Sequence, residues 1–274
     1  DDLDGDGNIT NMRIRDTLGR LRSDPSDKRL MITVKPGEKG EWTRLGQEGI
    51  DNDGDGQVNE DGEGYVDGNR NWGMNWNPPY VQSGAGNYPF EGKGIRAIAE
   101  WMLARPNIIL VFAFHNNGGM YLRGPTSKAA GELPQGDVAV YDYLGGHMEK
   151  IVPGYQYLIS WKDLYSTYGD FTDFTDKLVG SYSLVGELYQ PETETYDGTM
   201  KRGEEERSRS EDPSAGERQR LLFDDNVNQG ELFKEWKAYK HPLYGDIEIG
   251  GWTKMSSRLP HPFMLQDLVH RNAS

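Results

Sequence analysis

The chain has 274 residues, and 30 Lys and Arg against 44 Asp and Glu leave a formal charge of −14. That acidity argues against nucleic acid as a partner, since phosphates need clustered cations, and the absence of Cys excludes a disulfide framework, a thiolate nucleophile and a zinc ribbon. The longest apolar run, Ile108–Phe114, falls short of the ~18 residues of a membrane span, and no signal or transit peptide opens the chain. The length suits one large domain, 1–274, with a buried core.

The first readable features are two acidic loops, 1–13 and 51–62. Asp2, Asp4 and Asp6 precede Gly7 and Ile9, and Asp51, Asp53 and Asp55 precede Gly56 and Val58 in the same spacing. Calcium takes six to eight oxygens on a tightly curled loop, and glycine permits the turn. The predicted ligands are Asp2, Asp4, Asp6 and Asn8 in one loop, and Asp51, Asp53, Asp55, Gln57 and Asp61 in the other, where Glu60 is an alternative to Asp61. No nearby acid closes the first loop. The bland alternative is a pair of solvated acidic turns, and even with calcium the role is structural.

Further along, Glu91–Ala104 carries Ile95, Ile98, Ala99, Met102 and Leu103 at helical spacing and stops before Pro106. Ile108–Phe114 is short and apolar throughout, which predicts a central strand covered by helices on both faces. A second helix is expected over Gly136–Ile151 and a second buried strand over Ser181–Tyr189. The alternation predicts an α/β layered sheet. Residues 197–222 are charge-dense and read as an exposed insertion, Asn228–Trp236 as a short helix, and Tyr244–Trp252 as a strand within a C-terminal elaboration, 240–274.

Three places carry chemistry. His115 directly follows the Ile108–Phe114 strand, at the carboxyl end where ligands bind in open α/β sheets. Glu187 interrupts the apolar Leu184–Tyr189 run, and a buried carboxylate there must be paired, metal-bound or acting as a base. Asp67-Gly-Asn69-Arg70-Asn71-Trp72 is a polar turn with a guanidinium suited to bidentate carboxylate binding. Taken singly, a histidine at a strand end is more often structural than a ligand.

Together these residues resemble the zinc carboxypeptidase (metallocarboxypeptidase) family, over roughly residues 2–190 and in family order. The resemblance implies a three-layer fold, a mixed, mostly parallel sheet with helices on both faces. It implies that Asn69 and Arg70 hold the C-terminal carboxylate of a peptide or protein substrate. Asp67 would orient a zinc-ligating histidine from behind, His115 would be a zinc ligand, and Glu187 the general base acting on zinc-bound water. Asp173-Phe174 matches a family Asp-aromatic pair, and Tyr165 falls where the family has a substrate-capping tyrosine, with Tyr168 as second candidate. In Asn11-Met-Arg13-Ile-Arg15 the register favours Arg15 over Arg13 as the oxyanion-stabilising arginine. Thr172 falls near the position that selects the substrate side chain.

The family's other two zinc ligands come from a His-x-x-Glu motif, and none of His115, His147, His241, His261 and His270 is followed by Glu three residues later. The expectation is therefore a domain incomplete at its start, inactive alone, needing an upstream segment or a second chain to complete one zinc site beside two calcium sites. The competing expectation is a calcium-stabilised, non-catalytic binding or assembly module on the same fold. Calcium loops suit an extracellular or periplasmic setting; Asn8 and Asn272 fit the N-glycosylation pattern without deciding it.

Overall fold

The computed structural model describes residues 1–59, 66–189, 215–254, 256, 258, 260 and 262–273. In chain order come β1 (Asn11–Arg15), β2 (Leu21–Ser23), β3 (Met31–Thr33), β4 (Trp42–Gln47) and helix α1 (Lys93–Leu103). Then follow β5 (Leu110–Asn116), β6 (Met120–Arg123), α2 (Gln135–Ile151), β7 (Gln156–Ile159), the one-turn α3 (Phe171–Phe174) and β8 (Tyr182–Leu188). The last are α4 (Ala215–Phe223), β9 (Phe233–His241), β10 (Gly245–Trp252) and α5 (Pro262–Ala273). Among the described residues, no helix is long and apolar enough to cross a membrane.

The chain forms two compact units, Asp1–Gly62 with Gln190–Gln266, and Glu63–Tyr189 with Asp267–Ser274. The first unit is built on a six-stranded sheet ordered β3-β2-β4-β1-β10-β9. All its pairings are antiparallel, so the expectation of a mostly parallel sheet does not hold there. The physical reason is local: short turns such as His241–Gly245 join neighbouring strands, and parallel pairs would need long crossovers. Met12, Ile247 and Ile249 bury one face of this sheet. On the other face Arg13 lies between two indoles, 3.9 Å from the Trp42 ring centroid and 4.0 Å from that of Trp236, while its Nη2 meets Glu248 at 2.6 Å.

Asn228–Trp236, expected as a helix, is instead the approach to β9 and its first residues. Phe233, Trp236 and Tyr239 recur every three residues, which imitates a helical stripe. A β-bulge within β9, two residues (Glu235 and Trp236) against the single Gly250, brings Phe233 and Trp236 to one face, while Trp236 and Tyr239 point to opposite faces by ordinary alternation. Of the expected insertion over 197–222, residues 197–214 lie outside the described residues, and the rest belongs to α4.

The second unit carries a four-stranded sheet ordered β5-β8-β6-β7, with β5–β8 and β6–β7 parallel and β6–β8 antiparallel. Here helices do cover both faces. Phe112 packs with Tyr121, Met148 of α2 and Leu268 of α5. Val111, on the opposite face by strand alternation, packs with Ala99 and Met102 of α1 and Phe174 of α3. β5 is an edge strand rather than the expected central one: Leu110 is 51% and Phe114 55% exposed. An apolar run on both faces cannot by itself distinguish a central strand from an edge with uncovered apolar side chains.

Candidate functional site

The parallel register of β5 and β8 sets His115 directly beside Glu187. Their side chains share a face, with Nδ1 to Oε1 at 3.6 Å, and both are partly buried. The Glu187 carboxylate holds the His115 imidazole above its ordinary pKa, and partial burial opposes that shift.

The Asn69-Arg70 turn reaches the same place from a loop. Asp67 Oδ1 accepts the Asn69 amide at 2.7 Å, and Gly169 O accepts the Trp72 amide at 2.9 Å. Gly169 has φ +67°, and a Cβ there would lie 2.3 Å from Arg70 O, so only glycine lets these two backbones meet. Asn69 Nδ2 donates to Asp170 Oδ2 at 2.9 Å, and Asn69 Oδ1 accepts the Phe171 amide at 2.8 Å. Asp170 caps α3 by accepting the Thr172 amide at 2.8 Å, and its Oδ2 stands 3.8 Å from Arg70 Nη1. Burial raises the Asp170 carboxyl above the usual range, against the hydrogen bonds from Thr172 and the charge of Arg70, which lower it.

These side chains line one cleft of about 400 Å³. Asn69, Arg70, His115, Tyr165, Thr172 and Glu187, all singled out in the sequence, are on its wall. Tyr165 is 56% exposed and Thr172 only 2%. Asp170, Ser160 and Thr167 also line it and were missed; the one local signal was an Asp following Gly at a helix start, the N-cap of α3. Three candidates are elsewhere. Asp67 supports the turn through the Asn69 amide without lining the cleft. Tyr168, the second capping candidate, donates its amide to Gln82 Oε1 at 3.1 Å and does not line it either. Arg15 belongs to the first unit, its guanidinium 4.1 Å from the Trp42 ring centroid.

Two groups of acids gather ligand oxygens within 4.8 Å of one another: Asp51, Asp53 and Asp55, and Asp2, Asp4 and Glu48. Glu48 is the acid that sequence inspection could not find for the first loop, 48 − 2 = 46 residues from Asp2. Its oxygens also accept the Leu3 amide at 3.1 Å and the Thr10 amide at 2.8 Å. Lys237 places its ammonium on Asp4, 3.7 Å from Asp6, so the first loop already holds a cation. Asn8 and Gln57 turn their amide nitrogens towards Asp6 O and Asp55 Oδ2, at 3.3 and 2.7 Å. Asp61 and Glu60 lie outside the described residues. Among the described residues, no group of three metal-binding side chains includes His115.

No protein-family model and no curated protein matches the chain. Among solved structures it is similar to carboxypeptidase A from Helicoverpa armigera, at 21% identity and a TM-score of 0.37, over 44% of this chain and 32% of that one. The chain thus spans less than a third of that enzyme's length.

Proposed function

We propose that the cleft of the second unit binds the C-terminal carboxylate of a peptide, as in a metallocarboxypeptidase, with Arg70 and Asn69 as the carboxylate clamp. The supporting observation is the convergence of Arg70, Asn69, Tyr165, His115 and Glu187 on one wall. Arg70 Nη1 donates to Asn69 O at 2.7 Å, which orients the guanidinium and leaves other N–H groups for a bidentate carboxylate contact. Buried Thr172 would meet the terminal side chain, and exposed Tyr165 would cover it. Glu187 would take a proton from water, with His115 able to hold positive charge beside it.

The donors at this place are one imidazole and one carboxylate, short of the three protein ligands a catalytic zinc requires. The described residues therefore do not fit zinc, and His115 would serve as a ligand only with partners beyond them. Arg15, expected as the oxyanion-stabilising arginine, lies on Trp42 in the first unit. We assign calcium to the Asp51–Asp55 loop, where three aspartates converge; the first loop, occupied by Lys237, is the weaker candidate of the two expected. Such loops suit the high free calcium of an extracellular or periplasmic setting.

A second reading, a calcium-stabilised binding module without catalysis, is favoured by the direct pairing of His115 with Glu187. One experiment separates them: calorimetric titration with a short peptide bearing a free C-terminus and with its amide, followed by mass spectrometry of the mixture and zinc counting on the natural protein. Binding of the acid alone, weakened about tenfold or more in Arg70→Ala, supports the clamp. Release of the terminal residue, abolished in Glu187→Gln, supports the enzyme, and binding without release supports the module. Equal binding of acid and amide removes both.

A further inference from the structure

The sheet face of the first unit that carries Arg13 is an alternation of guanidinium and indole. Arg15 lies 4.1 Å from the Trp42 centroid, and Arg13 lies between Trp42 and Trp236. Arg220 covers Trp252 at 4.1 Å. Trp42 thus has two guanidinium partners, whereas Trp236 and Trp252 have one each. Those two indoles line a common open depression of the surface, with Phe233 edge-on to Trp252 at 5.1 Å and 86°.

Two irregularities of the sheet shape this depression. The bulge, whose extra residue lies in β9 opposite Gly250, brings Phe233 to the same face as Trp236 and Trp252. It depends on glycine, because a Cβ at Gly250, φ +150°, would meet Glu235 O and Trp236 Cα at 2.8 Å. A second register shift, between Met12 and Arg13, lies opposite Gly46 and sets Arg44 beside Arg13. Bulges commonly re-aim side chains next to binding sites.

The charges of the wall are unequal. Arg29 is neutralised by Asp27 and Asp225, both at 2.7 Å. Arg44 and Glu217 also line the depression, and among the described residues Arg44 has no carboxylate within ion-pair distance. An exposed guanidinium lining the same depression as indole and phenyl surfaces is complementary to an anion attached to a flat apolar face.

We propose that this depression is a second binding site, independent of the cleft, for a carboxylate carried on a single flat-faced ring, with Arg44 taking the carboxylate and Trp236 and Trp252 the ring. An aromatic amino acid derivative and a uronic acid share that chemistry. The test is calorimetric titration of the full chain with N-acetylphenylalanine and with glucuronate, each beside its methyl ester, in the wild type, Arg44→Gln and Arg70→Gln. Arg44 is exposed, so its replacement leaves the fold intact. The expected result is saturable binding of at least one acid and not its ester, weakened about tenfold or more in Arg44→Gln and retained in Arg70→Gln. Which acid binds identifies the source of the ring. Binding lost in Arg70→Gln but unchanged in Arg44→Gln belongs to the cleft and overturns this site while supporting the clamp. Binding of neither acid, or equal binding of acid and ester, also overturns it.

Discussion

The six-stranded sheet pairs all its strands antiparallel and holds its buried cation between two rings and a carboxylate, while the four-stranded sheet sets β5 parallel to β8 and turns an imidazole and a carboxylate towards open space. In the first, charge is satisfied by aromatic faces and opposite charge, and it stabilises. In the second, Arg70, His115 and Glu187 have incomplete partners, and that incompleteness is what a ligand can complete. On the proposed reading, the same residue type, arginine, is structural or ligand-binding according to how much of its guanidinium the protein has already occupied.

Four measurements sharpen or break that contrast. Gly169→Ala should have the largest effect, about 2–4 kcal/mol in urea unfolding with loss of free-carboxylate binding, because a Cβ there strikes Arg70 O and φ is +67°. A stable variant with normal binding would show the turn to be more plastic than its packing indicates. Arg13→Ala should cost about 2 kcal/mol without altering peptide binding, since two indoles and Glu248 lose their common partner. If peptide binding also falls, the division between stabilising and functional arginines is wrong. Calcium at about ten times its Kd should raise stability by about 1.4 kcal/mol, and Asp51→Asn with Asp53→Asn should erase most of that response. An unchanged melting temperature with and without chelator would leave the loops as solvated acidic turns.

The smallest effect concerns protons. The charged His115 is stabilised by Glu187, so its pKa is raised above 6.5. That stabilisation is fully present below the unfolded imidazole value and is lost as pH rises through the higher folded value. In Glu187→Gln, the His115 signals in an NMR titration should move to lower pH. An unmoved titration would mean that the pair at 3.6 Å does not interact in solution.

The sequence made β8 and α2 readable to within a residue or so, because an unbroken apolar run and a helical stripe are local signals. The cleft was readable for a different reason: Asn69, Arg70, His115 and Glu187 are polar groups in settings that demand partners. What stayed hidden depends on residues far apart in the chain. Glu48 meets Asp2 and Asp4 only through the fold, the edge position of β5 depends on which strands pair, and the phase of β9 depends on a bulge set by its pairing with β10. Asp170 was missed because its chemistry lies in holding Asn69 rather than in a motif of its own.

The pairing of Asn11 with Gly250 closes the first sheet across 250 − 11 = 239 residues. During synthesis at roughly 5–20 residues per second, β1 therefore emerges about 10–50 s before its β10 neighbour exists. β4 can pair with its other edge early, but the β10 side waits, an open row of amides and carbonyls of the kind that recruits foreign strands. Arg13 and Arg15 alternate along that waiting strand. Like charges on two nascent copies repel, so the arginines that later stack on indoles disfavour pairing of that strand with its own copies.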